Sequence, residues 1–374
     1  MTGDSNVVVG LNLLFLRPGI VGGSESYATR LIDALSAQAS TIEARPICTA
    51  LAQRAHPKRL ADALLAPRGF DRPAARTVLE RTWLPRMLRT GGFDLVHHVG
   101  GTLPTRSELP AVVTVHDLQP LDLPHNFSAV KRRWLAHAIP QAIRGASVVT
   151  TPSDLVASQI VERFGIDPAR VIPVPVFAPP STASSHERPS SRVESLLGRG
   201  PVFLYPAMTL AHKNHKMLFE AFGAAHPSGD ASLVCVGSTG RDDASIREVA
   251  DRVASVHMLG HVPTADLSAL LTRATAVVFP SRYEGFGLPV LEAQRAETPV
   301  IASSAGAIPE VAGDGAMLLD PDDVDGWAAA LADPPAGEAR RRLVDAGRRN
   351  AERYGPKVTA EAQLAAYRLA VERS

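Results

Sequence analysis

The sequence has few of the features that mark secreted, membrane-spanning or disulfide-rich proteins. It contains two cysteines in 374 residues, Cys48 and Cys235, and each lies in an apolar segment without a CxxC partner. We therefore expect buried free thiols in a reducing compartment. No apolar run approaches the ~18 residues of a membrane-spanning helix, and residues 1–6 lack the basic and then apolar pattern of a signal peptide. We expect a cytoplasmic protein that does not span a membrane.

Neither sign of charge is in large excess, since the formal net charge at pH 7 is +1. Residues 1–176 contain 19 Lys and Arg against 14 Asp and Glu, a net of +5, whereas residues 177–374 contain 20 against 24, a net of −4. So small a basic excess, without a clustered aromatic platform, argues against a nucleic-acid partner. Two basic and apolar segments, residues 76–89 and 131–134, suit either surface helices that cover the core or peripheral contact with an anionic membrane.

Acidic clusters that suit a metal ion are also scarce. The candidate is Asp320-Pro-Asp-Asp-Val-Asp325, which contains a D-x-D spacing. An apolar helix is predicted directly after it, at residues 326–331. These carboxylates are therefore better explained as helix caps and first-turn charges, and we expect no metal site.

Apolar strand-like segments alternate with helical patterns along the chain. Such alternation predicts parallel βαβ units and an α/β fold. The predicted strands are residues 7–16, 42–48, 94–98, 112–116 and 148–151 in the first half, and residues 202–206, 233–237, 256–259, 276–279 and 300–302 in the second.

The length of the chain suits two domains. The composition changes near residue 177, where a stretch rich in Pro and Ser has little to bury and predicts a linker. The predicted divisions are a first domain at residues 1–176, a linker at 177–199, a second domain at 200–355 and an amphipathic helix at 356–374. Two domains imply a cleft, which is the usual place for a ligand.

The segment Glu284-Gly-Phe-Gly-Leu-Pro-Val-Leu-Glu292 is the most informative of the chain. The apolar run at residues 276–279 leads into it, which predicts a buried strand followed by a glycine loop. Pro289 has its φ preset for the first turn of a helix, so Glu284 is predicted in the loop and Glu292 in the first helical turn. Unpaired helix amides beyond the end of a parallel strand favour a nucleotide-type ligand.

This pattern resembles the E-x7-E signature of retaining nucleotide-sugar glycosyltransferases of family 4. The resemblance implies the GT-B fold, in which two Rossmann-like parallel-sheet domains face each other across a cleft and the C-terminal helix crosses back to the first domain. It also implies that Glu284 binds hydroxyls of the donor sugar and that Glu292 binds the ribose. The backbone amides that would assist Glu284 belong to Phe286, Gly287 and Leu288. A strand, a turn and a helix with capping glutamates would explain either glutamate alone.

The loop after the first predicted strand contains Gly22 and Gly23, followed by Ser24-Glu25 at the start of a predicted helix. Its amides could hold a diphosphate, and the resemblance implies contact with the donor phosphates. As an alternative, these glycines simply form a turn. The loop is not the G-x-G-x-x-G fingerprint, and no acidic residue ends the second predicted strand, which argues against a dinucleotide oxidoreductase.

Histidines end two of the predicted strands in the first half. His116 follows the apolar run at residues 112–115. It is either a hydrogen-bonded strand-end residue or, as the resemblance implies, a catalytic residue that approaches the donor sugar. His97 and His98 end another strand and could border the acceptor pocket.

The segment Lys213-Asn214-His215 follows the strand predicted at residues 202–206. The resemblance implies that Lys213 binds the donor diphosphate, where its charge would offset the negative charge that grows on the leaving group. Many members of the family have an Arg five or six positions earlier, where this sequence has Met208 and Ala207. A subset of the family with a Tyr-Pro-Ala…Lys-Asn-His pattern is closer to this chain.

A further strand–loop–helix segment spans residues 303–310. The resemblance implies that its backbone contacts the donor diphosphate and base, and Gly306 and Ala307 are the residues expected to do so. Glu297 stands where members of the family often have glycine at a helix end, which could alter that turn.

Together the motifs predict an enzyme that moves one hexose from a nucleoside-diphosphate donor to a hydroxyl of a saccharide or lipid-linked saccharide, with retention of the anomeric configuration. We expect neither a metal nor a cofactor other than the donor itself. The Tyr-Pro-Ala…Lys-Asn-His subset favours mannose from GDP-mannose. Two alternatives stay open, a nucleotide-sugar epimerase or hydrolase of the same build and a non-catalytic protein that binds nucleotide sugars.

Overall fold

The computed structural model of the protein describes residues 7–20, 22–37, 42–68, 80–103, 108–179 and 188–373. The chain divides into two compact units. Unit 1 consists of residues 1–176 and 355–374, and unit 2 consists of residues 177–354. None of the helices in the described ranges is long and apolar enough to cross a membrane.

Unit 1 contains a parallel sheet of seven strands among its described residues. The strands are β1 (Val7–Asn12), β2 (Ile42–Cys48), β3 (Leu64–Leu65), β4 (Leu95–His98), β5 (Ala111–Thr114), β6 (Val148–Thr151) and β7 (Val171–Pro173). Their order in the sheet is β3-β2-β1-β4-β5-β6-β7, and every neighbouring pair is parallel. The order reverses between β1 and β4, which places a topological switch point there.

Unit 2 repeats this plan with a parallel sheet of six strands in the part that the structure describes. The strands are β8 (Val202–Pro206), β9 (Ser232–Val236), β10 (Val256–Gly260), β11 (Ala276–Phe279), β12 (Val300–Ser303) and β13 (Met317–Leu319). Their order is β10-β9-β8-β11-β12-β13. The switch point of this sheet therefore lies between β8 and β11, and the loops that follow these two strands lie next to the crevice where ligands of such sheets bind.

Helices connect the strands in both units, as parallel strands require. In unit 1 they are α1 (Gly23–Ser36), α2 (Ala50–Ala55), α3 (Leu84–Thr90), α4 (Gln119–Asp122), α5 (Ala129–Gly145) and α6 (Asp154–Phe164), with 3-10 turns at Pro124–Asn126 and Pro168–Arg170. In unit 2 they are α7 (Ser191–Leu197), α8 (His215–Ala225), α9 (Asp243–Ala250), α10 (Thr264–Arg273), α11 (Leu288–Arg295), α12 (Ile308–Ala312), α13 (Val324–Ala332) and α14 (Gly337–Glu352), with 3-10 turns at Ala211–Lys213 and Gly313–Gly315. The last helix of the chain is α15 (Pro356–Glu372).

Most residues of the central strands are buried, as is usual for parallel sheets whose faces are covered by helices. The residues of β5, β6, β11 and β12 are all buried. Cys48 and Cys235 are buried and unpaired, as predicted. Burial raises the pKa of the Cys48 thiol to about 11.

Five strands, β4, β5, β9, β10 and β12, begin or end within two residues of the predicted positions without matching them fully, and two larger differences have a physical cause. The first strand ends at Asn12 rather than at residue 16, because the Asn12 side chain accepts a hydrogen bond from the Leu14 amide and turns the chain. The predicted linker contains helix α7, whose Val193 and Leu196 side chains are buried. Ser190 caps this helix and donates its amide to Asp266, so the Ser-rich composition reflects a helix cap as well as a connection.

Helix α15 packs within unit 1, against α1 and strands β4 to β7. Its Thr359 hydroxyl donates to the Pro175 carbonyl (2.7 Å), and its Tyr367 hydroxyl lies 2.8 Å from Nδ1 of His97. The α/β class and the two Rossmann-like parallel sheets predicted from the sequence are confirmed.

Candidate active site

Lys213 and Glu284 form an ion pair in unit 2. Lys213 ends the 3-10 turn after β8, and Glu284 lies in the loop after β11, so the pair comes from the two strands that flank the switch point. The Lys213 Nζ atom lies 2.5 Å from Oε1 of Glu284, and their side chains are 17% and 13% exposed. A lysine ammonium has three N–H donors, so the bond to Glu284 leaves donors for an anionic ligand.

The loop after β12 supports the main chain of Glu284. The amide of Ala307 donates to the Glu284 carbonyl (3.1 Å). Gly306 has a φ of +59°, and a Cβ there would lie 2.7 Å from the Glu284 carbonyl oxygen and 2.8 Å from its nitrogen. The Ala307 amide therefore holds the acidic loop, and contact of the Gly306 and Ala307 backbone with the donor diphosphate stays a prediction.

The segment that follows Glu284 begins helix α11. Gly287 precedes the helix with a φ of +110°, and Pro289 lies in its first turn, as predicted. The Leu288 amide lies at the helix start, where amides have no acceptor within the helix. Pro289 has no N–H, and the Val290 amide donates to the Gly287 carbonyl (2.9 Å). Phe286 is buried, and its ring centroid lies 5.9 Å from that of Tyr354.

The structure corrects the position of Glu292. The sequence analysis expected this carboxylate in the first helical turn, but it is the fifth residue of the helix Leu288–Arg295, and the first turn has no acidic residue. Because the helix starts at Leu288, one residue before Pro289, Glu292 is its fifth residue and begins the second turn. Glu292 is half-buried.

Histidines flank Lys213 in the sequence. Burial, and next the charge of Lys213, lower the pKa of His212 to about 4 and that of His215 to about 3. Both imidazoles are therefore neutral at pH 7, and Lys213 is the cation of this turn. Ala207 and Met208, which carry no charge, stand where many members of the family that the sequence resembles have an Arg.

The glycine loop of unit 1 leads into α1. Gly22 precedes the helix with a φ of +55°, and Gly23 is its first residue. Glu25, two positions later, accepts a hydrogen bond from the Gly19 amide (2.9 Å) and lies 2.8 Å from Nε2 of His56. Glu25 therefore shapes this loop, a role that its place in the first helical turn did not reveal.

His116 lies after β5 in unit 1, and its ring is anchored inside that unit. Its Nε2 lies 2.8 Å from the Val99 carbonyl, and the Tyr27 ring packs edge-on at 4.9 Å between centroids. Because a carbonyl only accepts, Nε2 carries the proton and Nδ1 is unprotonated. Burial lowers the pKa of His116 to about 4, so at pH 7 it can accept a hydrogen bond and carries no charge.

His97 and His98 lie in the core of unit 1, which contradicts the expectation that they border an acceptor pocket. Both are buried, and His97 lies between the hydroxyls of Tyr367 (2.8 Å) and Thr114 (2.7 Å). His98 Nδ1 lies 2.9 Å from the side-chain Nδ2 of Asn12. Both strand-end histidines are structural.

The acidic segment after β13 caps a helix, as predicted. Asp323 precedes α13 and accepts a hydrogen bond from the Gly326 amide (2.9 Å), whereas Asp322 pairs with Arg282. Across the described ranges, no group of three or more His, Cys, Asp or Glu side chains is arranged to hold a metal ion.

Comparisons with known proteins agree with this architecture. The family described as Glycosyltransferase Family 4 matches residues 21–177, and the family described as Glycosyl transferases group 1 matches residues 200–333. The MMP alpha-(1->4)-mannosyltransferase of Mycolicibacterium hassiacum is 30% identical over 330 residues, which cover 82% of this chain and 76% of that protein. The O-antigen chain mannosyltransferase B of Escherichia coli is 29% identical over 256 residues, which cover 65% of this chain and 66% of that protein.

Solved structures show the same fold at low sequence identity. The Anabaena protein HepE, solved in complex with UDP and glucose, superimposes with a TM-score of 0.72 at 16% identity, over 96% of this chain and 98% of that one. Two Rossmann-like units with these relatives define a glycosyltransferase of the GT-B type. The chain belongs to glycosyltransferase family 4.

Proposed function

We propose that this glycosyltransferase transfers a hexose from a nucleoside-diphosphate donor to a hydroxyl of a saccharide or lipid-linked saccharide, with retention of the anomeric configuration. The observation that carries the proposal is the Lys213–Glu284 pair at the switch point of unit 2. A diphosphate needs a cation, and a hexose needs a hydrogen-bond acceptor for its hydroxyls. The pair provides both within one crevice.

Each residue of this site has a distinct role in the proposal. Lys213 binds the diphosphate and stabilises the charge that develops on it as the bond to the sugar breaks. Glu284 accepts hydrogen bonds from sugar hydroxyls, and the amides at the start of α11 (residues 286–288) assist. Glu292 binds the ribose hydroxyls.

The proposed reaction needs no protein base. The bond between the anomeric carbon and the phosphate oxygen breaks, and the bond between that carbon and the acceptor oxygen forms on the same face of the sugar. The acceptor proton passes to the departing phosphate oxygen. The opposed pair of carboxylates that a retaining glycosidase uses is therefore not required.

In unit 1, the groups that we propose for contact with the donor are neutral. The unprotonated Nδ1 of His116 suits a hydroxyl of the donor sugar, and the amides at Gly22 and Gly23 suit a phosphate. Both remain predictions. Replacing His116 by Phe should lower turnover without changing the affinity for the free nucleoside diphosphate, and equal losses of both in calorimetry and assay would contradict the sugar role.

GDP-mannose is the proposed donor. The support is that the similar proteins of Escherichia coli and Mycolicibacterium hassiacum are both named mannosyltransferases. A thermal-shift series with GDP, UDP, GDP-mannose and UDP-glucose tests the assignment, and stabilisation by UDP compounds alone would contradict it.

Alanine variants test the site directly. Lys213→Ala and Glu284→Ala should each lower turnover by roughly two to three orders of magnitude while the fold is retained, because each removes a charge that the donor needs. Lys216→Ala and Glu220→Ala are matched controls, since both side chains are exposed on the neighbouring helix α8. Glu292→Ala should mainly weaken nucleotide binding in calorimetry.

The assay is release of nucleoside diphosphate with and without mannosides and lipid-linked saccharides as acceptors. Release that depends on an acceptor supports transfer. Release without any acceptor favours the hydrolase or epimerase alternative, and tight binding without turnover favours the non-catalytic one. Near-normal transfer by Lys213→Ala would contradict the role of this lysine.

Peripheral contact with an anionic membrane is proposed for helix α5. Lys131, Arg132 and Arg133 are exposed at its start, Val130 beside them is 82% exposed, and the helix has no acidic residue. Such a helix can lie on an anionic lipid surface. Vesicles of phosphatidylglycerol, but not of phosphatidylcholine, should sediment the protein, and the double variant R132E/R133E should stay in the supernatant. Equal sedimentation of both proteins would contradict the proposal.

A further inference from the structure

Asn214 combines a rare backbone conformation with side-chain bonds away from its own helix. It is one of three non-glycine residues with positive φ in the described ranges, at +65°, and it is 3% exposed. It precedes α8, where asparagine commonly caps the helix, yet its side chain makes no capping bond. Instead, Nδ2 donates to the carbonyls of Pro280 (3.2 Å) and Pro321 (2.6 Å).

These two carbonyls belong to the segments that follow strands β11 and β13. Pro280 directly follows β11 and is four residues before Glu284, and Pro321 follows β13. Asn214 is bonded covalently to Lys213. One amide group therefore ties the turn that carries the lysine to the strand end that carries the glutamate loop.

The same turn is held at two other points. The Tyr205 hydroxyl donates to the Lys213 carbonyl, and the Arg282 amide donates to the His212 carbonyl (2.8 Å). The main chain on both sides of the lysine is thus fixed, and Asn214 adds a side-chain link to the main-chain link between His212 and Arg282. A glycine would accept the positive φ equally well but has no donor for the two carbonyls.

We propose that Asn214 is a positioning residue that sets the place of Lys213 relative to Glu284 for the donor diphosphate. This inference rests on the function proposed above. Asn214 touches neither donor nor acceptor, and it acts through Lys213. A displacement of about 1 Å in such a group is enough to cost on the order of a hundredfold in activity, so two hydrogen bonds that fix the turn are significant.

The test is a double-mutant cycle read out by the affinity for a nucleoside diphosphate. Wild type, N214G, K213A and the double variant are titrated with GDP and with UDP, and the nucleotide that the wild type binds more tightly is used for the cycle. N214G keeps the backbone conformation and removes only the amide. We expect it to weaken binding about tenfold in the wild type and by less than about twofold in the K213A background.

Asn350 provides a matched control in the same unit. It is also buried, and its Nδ2 also donates two bonds, to Gln294 Oε1 (2.8 Å) and to the Val311 carbonyl (2.7 Å). Because Asn350 lies in helix α14, alanine is its neutral replacement. N350A should lower the melting temperature as N214G does, because both remove buried hydrogen bonds, but it should leave nucleotide affinity within about twofold of the wild type.

The outcomes separate the inference from the proposed function. If K213A binds the nucleotide as tightly as the wild type, or if neither nucleotide binds, the proposed function is wrong. If K213A weakens binding but N214G does not, or weakens it equally in both backgrounds, Asn214 has only a structural role. Should N214G fail to fold, Asn214→Asp replaces it, because aspartate tolerates positive φ and, even when its carboxyl group is protonated, has a donor for only one of the two carbonyls.

Discussion

Lys213 and Glu284 are 71 positions apart in the sequence and form a 2.5 Å ion pair in the structure. Their residue types and neighbouring motifs predicted that both belong to one donor site. The direct pairing was not predictable, because it depends on how the loops after β8 and β11 turn at their ends. Those turns are fixed by contacts from elsewhere, such as the bond from Ala307 to the Glu284 carbonyl.

Glu297 has a backbone conformation that favours glycine over glutamate. It follows α11 with a φ of +57°, and its amide donates to the Gln294 carbonyl (3.1 Å). A left-handed conformation at this position of a helix end favours glycine. The side chain is exposed, so nothing in its packing offsets the strain.

Glu297→Gly should therefore raise the free energy of unfolding by up to about 1 kcal/mol, since glycine removes the strain at positive φ. Urea denaturation measures the change. Glu297→Ala is the control, because it removes the same charge and keeps a Cβ. Equal effects of the two substitutions would show that the charge, and not the backbone conformation, is responsible.

At the scale of elements, helix α15 presents a buried polar row to unit 1. Thr359, Gln363 and Tyr367 are spaced four residues apart and so share one face of the helix, and all three are buried. The outer two have partners, Pro175 and His97. The Gln363 amide has none among the described residues.

Substitutions at Gln363 and Tyr367 should therefore change the free energy of unfolding in opposite directions. Gln363→Met should raise the free energy of unfolding by about 1–2 kcal/mol, because it replaces an unpaired buried amide by an apolar group of similar shape. Tyr367→Phe should lower it by about 1–3 kcal/mol, because it leaves a nitrogen of His97 unpaired. Both are measured by urea denaturation, and a loss of stability in Gln363→Met would show that this amide is hydrogen-bonded to water.

At the scale of the whole molecule, the buried histidines should make the free energy of unfolding decrease in acid. Burial is the main cause that lowers the pKa of His97 to about 3, of His98 to about 4 and of His215 to about 3. In the unfolded chain these groups titrate near 6.5. Between pH 6.5 and about 4 the unfolded state therefore binds more protons than the folded state, and stability falls as the pH falls.

We expect the free energy of unfolding to be insensitive to these groups above pH 6.5 and to decrease below it by up to about 1.4 kcal/mol per pH unit for each. Urea denaturation from pH 7.5 to 5 measures the slope. The slope reports the number of protons taken up on unfolding. His97→Gln should reduce that number by roughly one, whatever it does to the free energy of unfolding at pH 7. His137→Gln, at an exposed position of α5, should not change it, and an unchanged slope in His97→Gln would contradict the prediction.

The sequence alone determined the α/β class, the parallel sheets and the positions of most strands, because apolar runs of strand length between helical patterns have few other folded solutions. β2, β6, β8 and β11 begin and end at the predicted residues. The short strands β3, β7 and β13 were not predicted, since two or three residues carry no periodic signal. The motifs also identified Lys213, Glu284 and His116 as the residues to examine.

Only the tertiary structure decided which of these side chains meet and which are structural. It paired Lys213 with Glu284, anchored His116 on the Val99 carbonyl, and placed His97 in the core of unit 1. It also gave Asn214 its two carbonyl partners. The physical reason is that local sequence sets backbone preferences over a few residues, whereas hydrogen bonds and ion pairs between distant loops depend on the order of strands in the sheet and on what packs behind each loop.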